Sequence, residues 1–259
     1  MATYVHHTGA TTLPERPPAS DLGETVLCLH GAGGNGNQFR GVLRALSAHH
    51  SPLAFDQPAH GRSGSLDSLA DVGRMADFTL AFIDKLGLGA PVLLGHSLGG
   101  AVALRCALDR PDGIRGLVLC SSAARFPAID SVMETTRLIV EGKARRQFLR
   151  EAYSPSTENE ILSRGFMEDL KTDPRANYGD LQAARDWNAE AELAAVRVPT
   201  RVIVGADEFE PMREQSELLA SRIPGAGKTV IPKAGHVIPL EQPEALALAV
   251  EEFCAGLSA

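Results

Sequence analysis

Cysteine is sparse, and its spacing excludes more than its number does. Cys28, Cys106, Cys120 and Cys254 form no C-x-x-C pair, and none sits beside a histidine at zinc-ligand spacing. Three of them lie in apolar runs, where cysteine behaves as a small buried hydrophobe. A disulfide framework is therefore not expected, and a reducing, cytoplasmic setting fits better. Long apolar runs are missing too: no segment reaches the roughly 18 apolar residues that a membrane span needs. Residues 1–18 have neither a positively charged lead nor an apolar stretch, so no secretory signal is expected. Positive charge is short, with 25 Lys and Arg against 32 Asp and Glu and a net charge of −7. Such a surface repels a phosphate backbone, which argues against nucleic acid as a partner. Aromatics are the last shortage: nine Phe, three Tyr and one Trp, or 5% of the chain. The remainder is ordinary for a soluble globular protein, at 44% hydrophobic and 22% charged, which excludes disorder and low complexity.

What is present is an alternation. Apolar, β-branched runs at 25–29, 53–55, 91–95, 117–120, 200–205 and 228–231 read as strands covered on both faces. Helical patterns fall between and after them, at 69–86, 98–109, 211–221 and 243–257. Pro211 and Pro243 suit first helical turns. The alternation predicts an α/β fold with a doubly wound, mostly parallel sheet. The chain of 259 residues is long enough for one core domain plus an insertion. The rhythm breaks from 124 to 191, where no strong strand appears and Pro127, Pro155 and Pro174 interrupt the chain. That stretch is expected to be a helical cap, with 1–123 and 192–259 forming the core domain.

One motif carries chemistry. Gly95-His96-Ser97-Leu98-Gly99-Gly100 directly follows the strand pattern and directly precedes a helix-forming run from Ala101. G-x-S-x-G in a strand-to-helix turn holds a serine on a sharp bend, where bulky neighbours would clash. The helix N-terminus behind it favours a developing anion. Together with His30-Gly31-Ala32-Gly33-Gly34, Asp56-Gln57-Pro58-Ala59-His60-Gly61-Arg62-Ser63 and Ala234-Gly235-His236 followed by Pro239, the motif resembles the α/β-hydrolase fold family over nearly the whole chain. The family's D-x-P-G-x-G-x-S has Ala59 in place of its first glycine here, a change in the turn and not in the chemistry.

The resemblance implies a serine nucleophile, Ser97, then an acid, then a histidine base, in that chain order. Beyond His96 the chain has one histidine, His236, in a loop after the last strand pattern. The acid should follow 201–205, where Asp207, Glu208 and Glu210 compete. The family's Gly-x-x-Asp spacing puts Glu208 at the place, but Pro211 comes one residue early. A shortened turn would make Asp207 the acid, and Asp207 is preferred, with Glu208 as the alternative. Two backbone N–H groups should bind the oxyanion: Leu98, and Ala32 with Gly33 as runner-up.

Other patterns carry less. Gly31, Gly33 and Gly36 satisfy G-x-G-x-x-G, with Asp56 at ribose-binding distance. A nucleotide reading leaves Ser97 and His236 unexplained. Gly225-Ala226-Gly227-Lys228-Thr229 lacks the first glycine of a phosphate loop and precedes a strand. The His6-His7 and His49-His50 pairs have no third ligand, so no metal site is expected. Lys143, Arg145, Arg146 and Arg150 read as a solvated basic helix face before an anion site. No cofactor is implied, and the expected partner is a small-molecule ester or lactone.

The resemblance points to a carboxylic ester hydrolase for small or medium esters, working through an acyl-enzyme. A lactonase or enol-lactone hydrolase is the alternative; a C–C bond hydrolase, a perhydrolase or a non-catalytic receptor of the same fold come after. The family's C–C hydrolases commonly carry Trp after the catalytic histidine, where Val237 stands here. Six of the scarce aromatics, Phe126, Phe148, Tyr153, Phe166, Tyr178 and Trp187, fall within 124–191. Some of these should build that segment's packing. His96, Trp187, Phe126 and Val237 are the expected substrate contacts, with Trp187 first over an apolar acyl pocket.

Overall fold

The computed structural model describes residues 1–13, 22–127 and 129–257. Residues 14–21, which include the end of the 1–18 stretch considered for a secretory signal, lie outside them, as do Ala128, Ser258 and Ala259. The six apolar runs form β2 (Thr25–Leu29), β3 (Ser51–Phe55), β4 (Val92–His96), β5 (Gly116–Cys120), β6 (Thr200–Gly205) and β7 (Gly227–Ile231), and a further strand, β1 (Val5–His7), precedes them. They line up in one sheet in the order β1-β3-β2-β4-β5-β6-β7. All neighbours are parallel except β1, which runs antiparallel to β3. The α/β, mostly parallel architecture read from the sequence is thus the one observed. β1 has no counterpart among the runs read from the sequence: two of its three residues are histidines, which leaves almost no strand signal.

Each inner strand feeds two cores, as its period of two requires. Leu27 and Leu29 of β2 and Leu117 and Leu119 of β5 join one layer. Val26 and Cys28, and Val118 and Cys120, join the other. The first layer is completed by α2 (Val72–Leu86), α3 (Leu98–Asp109) and Leu219 of α7 (Glu210–Arg222). The second is completed by α1 (Arg40–Leu46) and α9 (Pro243–Leu257). All four cysteines are buried and free, Cys106 in the first layer and the others in the second.

Helix ends follow local chemistry. α2 starts three residues later than its apolar pattern, because Asp71 is extended and its side chain accepts from the Arg74 N–H at 2.8 Å. It ends at Gly87, whose φ of 60° no branched residue takes cheaply. Between β5 and β6 the chain leaves the sheet and forms α4 (Ile129–Val140), α5 (Asn159–Asp169) and α6 (Pro174–Asp186). The basic run 143–150 lies outside these helices. Arg146 there donates to the carbonyls of Asp169 and Thr172, and Arg150 to those of Tyr153, Ser154 and Pro155. These two arginines tie loops together and do not form a free anion site, and no solvated helix face exists there.

Sheet order reverses between β2 and β4: β3 lies on one side of this pair and β5 on the other. Loops leaving the carboxyl ends of strands at such a reversal diverge and open a crevice. Gly31 to Gly34 and Ser97 lie on the two loops that leave there. The short helix α8 (Ile238–Glu241) follows β7 and precedes α9.

Candidate active site

Ser97 closes β4 and opens α3 with φ 52° and ψ −121°, a conformation that costs a non-glycine residue on the order of 1–3 kcal/mol. The bend is feasible because its neighbours lack side chains. A Cβ on Gly95 would fall 2.5 Å from the Cα of Gly100, and one on Gly99 2.6 Å from the His30 carbonyl oxygen. Hydrogen bonds fix the turn: the Ser97 N–H donates to the Cys120 carbonyl at 2.9 Å, and Ser122 Oγ donates to the Ser97 carbonyl at 2.8 Å.

His236 sits in the loop between β7 and α8. Its Nε2 lies 3.1 Å from Ser97 Oγ, and its Nδ1 lies 3.0 and 3.2 Å from the two carboxylate oxygens of Glu208. A carboxylate only accepts, so Nδ1 carries the proton and the Nε2 lone pair faces the serine hydroxyl.

The acid at His236 is therefore Glu208 and not the preferred Asp207. Pro211 comes early because α7 starts at Glu210, so the proline occupies the first helical turn, where its lost N–H costs nothing. The Asp207 N–H donates to the Ala234 carbonyl at 2.9 Å, and its exposed carboxylate accepts from Ser154 Oγ at 2.6 Å. The next side chain, Glu208, then points inward and is 3% exposed.

The His236 loop is braced by a residue the sequence reading passed over. Glu241 of α8, 5% exposed, accepts from the N–H groups of Gly235 (3.0 Å) and Val237 (3.1 Å), which flank His236. It also accepts from the Ser154 N–H (2.7 Å) and Thr157 Oγ1 (2.6 Å). Its only sequence signal is a carboxylate between two prolines, five residues after the histidine.

The expected oxyanion donors lie beside Ser97. The Leu98 N–H belongs to the first residue of α3, where helix amides have no intrahelical acceptor. Gly31 packs on the nucleophile so closely that a Cβ there would sit 3.0 Å from Ser97 Cβ, which brings Ala32 to the crevice. Among the described residues, neither the Leu98 nor the Ala32 N–H has an acceptor. Gly33, the runner-up, is engaged: its N–H donates to Asp180 of α6 at 3.0 Å.

The expected substrate contacts fare differently. His96 is 4% exposed, and its Nε2–H donates to the His236 carbonyl at 2.8 Å. Burial, with the charge of His236 second, pushes its pKa down to about 3, so it is a neutral prop beneath the site. Trp187 is 7% exposed within the first core layer, and its indole N–H donates to the Ala123 carbonyl at 3.0 Å. It fastens the end of α6 to the loop after β5. Phe126 packs against the same layer, and Val237 joins a small cluster with Tyr153 and Leu240. The aromatic that does touch the site is Phe209, which the sequence reading did not single out. Its ring is 43% exposed, 5.4 Å from the His236 ring, on the residue after Glu208.

The arrangement holds a strained hydroxyl, an imidazole of defined tautomer, a buried carboxylate and two free amides around one point. That is the equipment for attack on an acyl carbonyl. Among the described residues, no group of three or more His, Cys, Asp or Glu is placed to hold a metal ion.

Known proteins point the same way. Residues 26–250 match the Alpha/beta hydrolase family. A pimeloyl-[acyl-carrier protein] methyl ester esterase of Neisseria meningitidis is 29% identical over 256 residues, covering 93% of this chain and 97% of that one. A Caulobacter sp. (strain K31) protein named as a carbamate hydrolase is 28% identical over 253 residues, covering 93% and 94%. Among solved structures, a thermophilic esterase from Thermogutta terrifontis superposes with a TM-score of 0.83 at 25% identity, covering 99% of this chain and 94% of that one. With its sheet order, its serine elbow and this match over most of its length, the chain belongs to the alpha/beta hydrolase family.

Proposed function

We propose that the protein is a serine hydrolase of small or medium carboxylic esters. Ser97 Oγ attacks the ester carbonyl while His236 Nε2 takes its proton, and Glu208 stabilises the imidazolium. The Leu98 and Ala32 amides receive the oxyanion. Collapse of the tetrahedral adduct breaks the acyl–oxygen bond, His236 returns the proton to the departing alcohol, and Ser97 is left acylated. Water, deprotonated by the same imidazole, then releases the acid. The segment 124–191 acts as a cap over this site, and the exposed Phe209 ring offers an apolar wall to the acyl or alkoxy group.

The observation that carries this reading is the 3.1 Å contact between Ser97 Oγ and His236 Nε2, continued at 3.0 Å from Nδ1 to Glu208. The esterase names of two similar proteins agree with it. Turnover of p-nitrophenyl acetate and butyrate, beside a lactone panel, tests it. Ser97→Ala should lower kcat by about 10⁴ or more while the protein stays folded. Wild-type rates in Ser97→Ala would refute the mechanism, and hydrolysis confined to lactones would move the substrate class.

A further inference from the structure

Gly33 is adjacent to the expected oxyanion donor Ala32, and its amide is held by a side chain from α6, a helix of the β5–β6 excursion. Asp180 is 2% exposed. Its Oδ2 accepts from the Gly33 N–H at 3.0 Å and lies 2.9 Å from His60 Nε2, while its Oδ1 accepts from Ser68 Oγ at 2.5 Å. Opposite it, His60 Nδ1 donates to the Pro58 carbonyl at 2.9 Å, which fixes one ring proton there. Nε2 then faces only a carboxylate. A bare lone pair there would be repelled, so the ring is an imidazolium.

The 2.9 Å contact is an ion pair set off the line of a well-aligned hydrogen bond, so charge holds it more than direction. Burial pulls the His60 pKa down, but the Asp180 charge outweighs it and the net shift is upward. Burial likewise raises Asp180, and His60 with the Ser68 and Gly33 bonds outweighs it, so the net shift is downward. The other titratable groups near the ring are His30, 5.0 Å away centre to centre, and Asp56. His30 holds the other side of the same loop. Its Nδ1–H donates to the Gly31 carbonyl at 2.9 Å, and its Nε2 accepts from the Gln57 N–H at 3.0 Å.

The peptide units on both sides of Ala32 are thus pinned, Gly31 by a core histidine and Gly33 by α6. We propose that Asp180 is a positioning residue for the oxyanion hole, and that its ion pair with His60 couples the seating of α6 to the aim of the Ala32 N–H. This rests on the ester-hydrolase reading of Ser97 above. Acyl transfer needs that amide to meet the developing oxyanion, whereas binding of the neutral ester does not. An α6 that lifts away takes Asp180 with it and leaves the amide unaimed, so Ser97 is fully competent only beneath a seated helix.

Asp180→Asn isolates the effect. One oxygen, Oδ2, serves both Gly33 and His60. A carboxamide of the same shape serves both only if His60 stays charged without a counter-ion in a buried site, which is unfavourable. With p-nitrophenyl acetate, kcat should fall on the order of 100-fold and KM should stay within threefold, the pattern of an interaction made in the transition state. Affinity for butaneboronic acid, whose serine adduct is tetrahedral, should fall with kcat. Ser68→Ala is the control for loosening in general, since Ser68 Oγ meets Oδ1 and the Ala70 N–H but not the Oδ2 that holds Gly33: it should lower the melting temperature and leave kcat within threefold. If Asp180→Asn does not fold, the His60→Phe/Asp180→Leu variant, which buries no charge and leaves the Gly33 N–H without its side-chain acceptor, should show the same loss in kcat. Wild-type kcat in either Asp180 variant, or an equal loss in Ser68→Ala, would overturn the proposal. A wild-type protein that turns over no ester fails the hydrolase reading itself, while an active wild type with an active Asp180→Asn fails only this inference.

Discussion

Replacing Glu208 by Gln and Asp207 by Asn separates two adjacent carboxylates by chemistry alone. The Glu208 carboxylate lies 3.0 Å from His236 Nδ1, so when the imidazole takes the serine proton the two charge centres stand about 4 Å apart. At an effective dielectric near 20 that attraction is about 4 kcal/mol. Each 1.36 kcal/mol is tenfold in rate, which makes the loss in Glu208→Gln about three decades in kcat. His236 is 17% exposed, so some screening applies and the loss should stay below the roughly 10⁴ known for amide replacement of such an acid. The carboxamide can also present its NH₂ to Nδ1 and select the wrong tautomer, which acts in the same direction. Asp207→Asn removes an exposed charge whose partner is Ser154 Oγ, so kcat should stay within about twofold and stability should fall by at most about 1 kcal/mol. The assay is steady-state hydrolysis of p-nitrophenyl butyrate, with circular dichroism to certify folding. A larger loss in Asp207→Asn than in Glu208→Gln would show that the buried carboxylate is not the partner of the base.

Three other perturbations follow from the same geometry. Glu241→Gln sets an NH₂ group against a site that accepts four hydrogen bonds, and should cost about 2–3 kcal/mol, read as a melting-temperature drop on the order of 5–10 °C; a drop under 1 °C would remove its bracing role. Trp187→Ala should destabilise by about 3–5 kcal/mol in denaturant melts while leaving the ratio of acetate to butyrate turnover unchanged, because the indole is packed in the core. A changed ratio at unchanged stability would return Trp187 to the substrate pocket. Acid should unfold the protein through His30 and His96, whose pKa values burial lowers to about 4 and about 3. The unfolded chain takes up these protons below its ordinary value near 6.5 and the folded one does not, so stability falls as pH drops from 6.5 to 4, by on the order of 3 kcal/mol for each histidine. A flat melting temperature across that range would contradict the buried neutral state of both rings.

The parts legible in the sequence are those governed by short-range rules. Strand runs such as 25–29 and 117–120 are apolar at nearly every position because both faces are covered, and the structure keeps such runs or shifts their ends by a residue or two. The serine elbow is legible because its glycines answer to contacts within the same turn and the facing loop. Glu208 was half legible: the spacing from Gly205 pointed to it, while the early proline and a preference for Asp pointed away. What decided it was the pairing of the Asp207 N–H with Ala234, a contact across the sheet end that no local pattern encodes. The roles of Trp187 and Asp180 were illegible for a similar reason. Aromatic enrichment in 124–191 does not tell which rings turn toward the sheet, and a single Asp on a helix carries no sign that a buried histidine 120 residues earlier waits for it.

The distribution of thiols has a practical consequence. Burial raises the pKa of all four cysteines, so none is a ready thiolate in the folded state. Cys106, on α3, faces α2, where its thiol meets the Ala76 carbonyl, whereas Cys28 and Cys120 of the sheet and Cys254 of α9 belong to the opposite layer. Reaction with an aromatic disulfide therefore clocks the opening of the protein, and the two sides of the sheet carry separate clocks. With Cys106 as the sole remaining thiol, the rate reports release of the layer beneath the serine helix. With Cys28 alone, it reports release of the opposite layer, so the order in which the molecule comes apart can be read without adding any label to its surface.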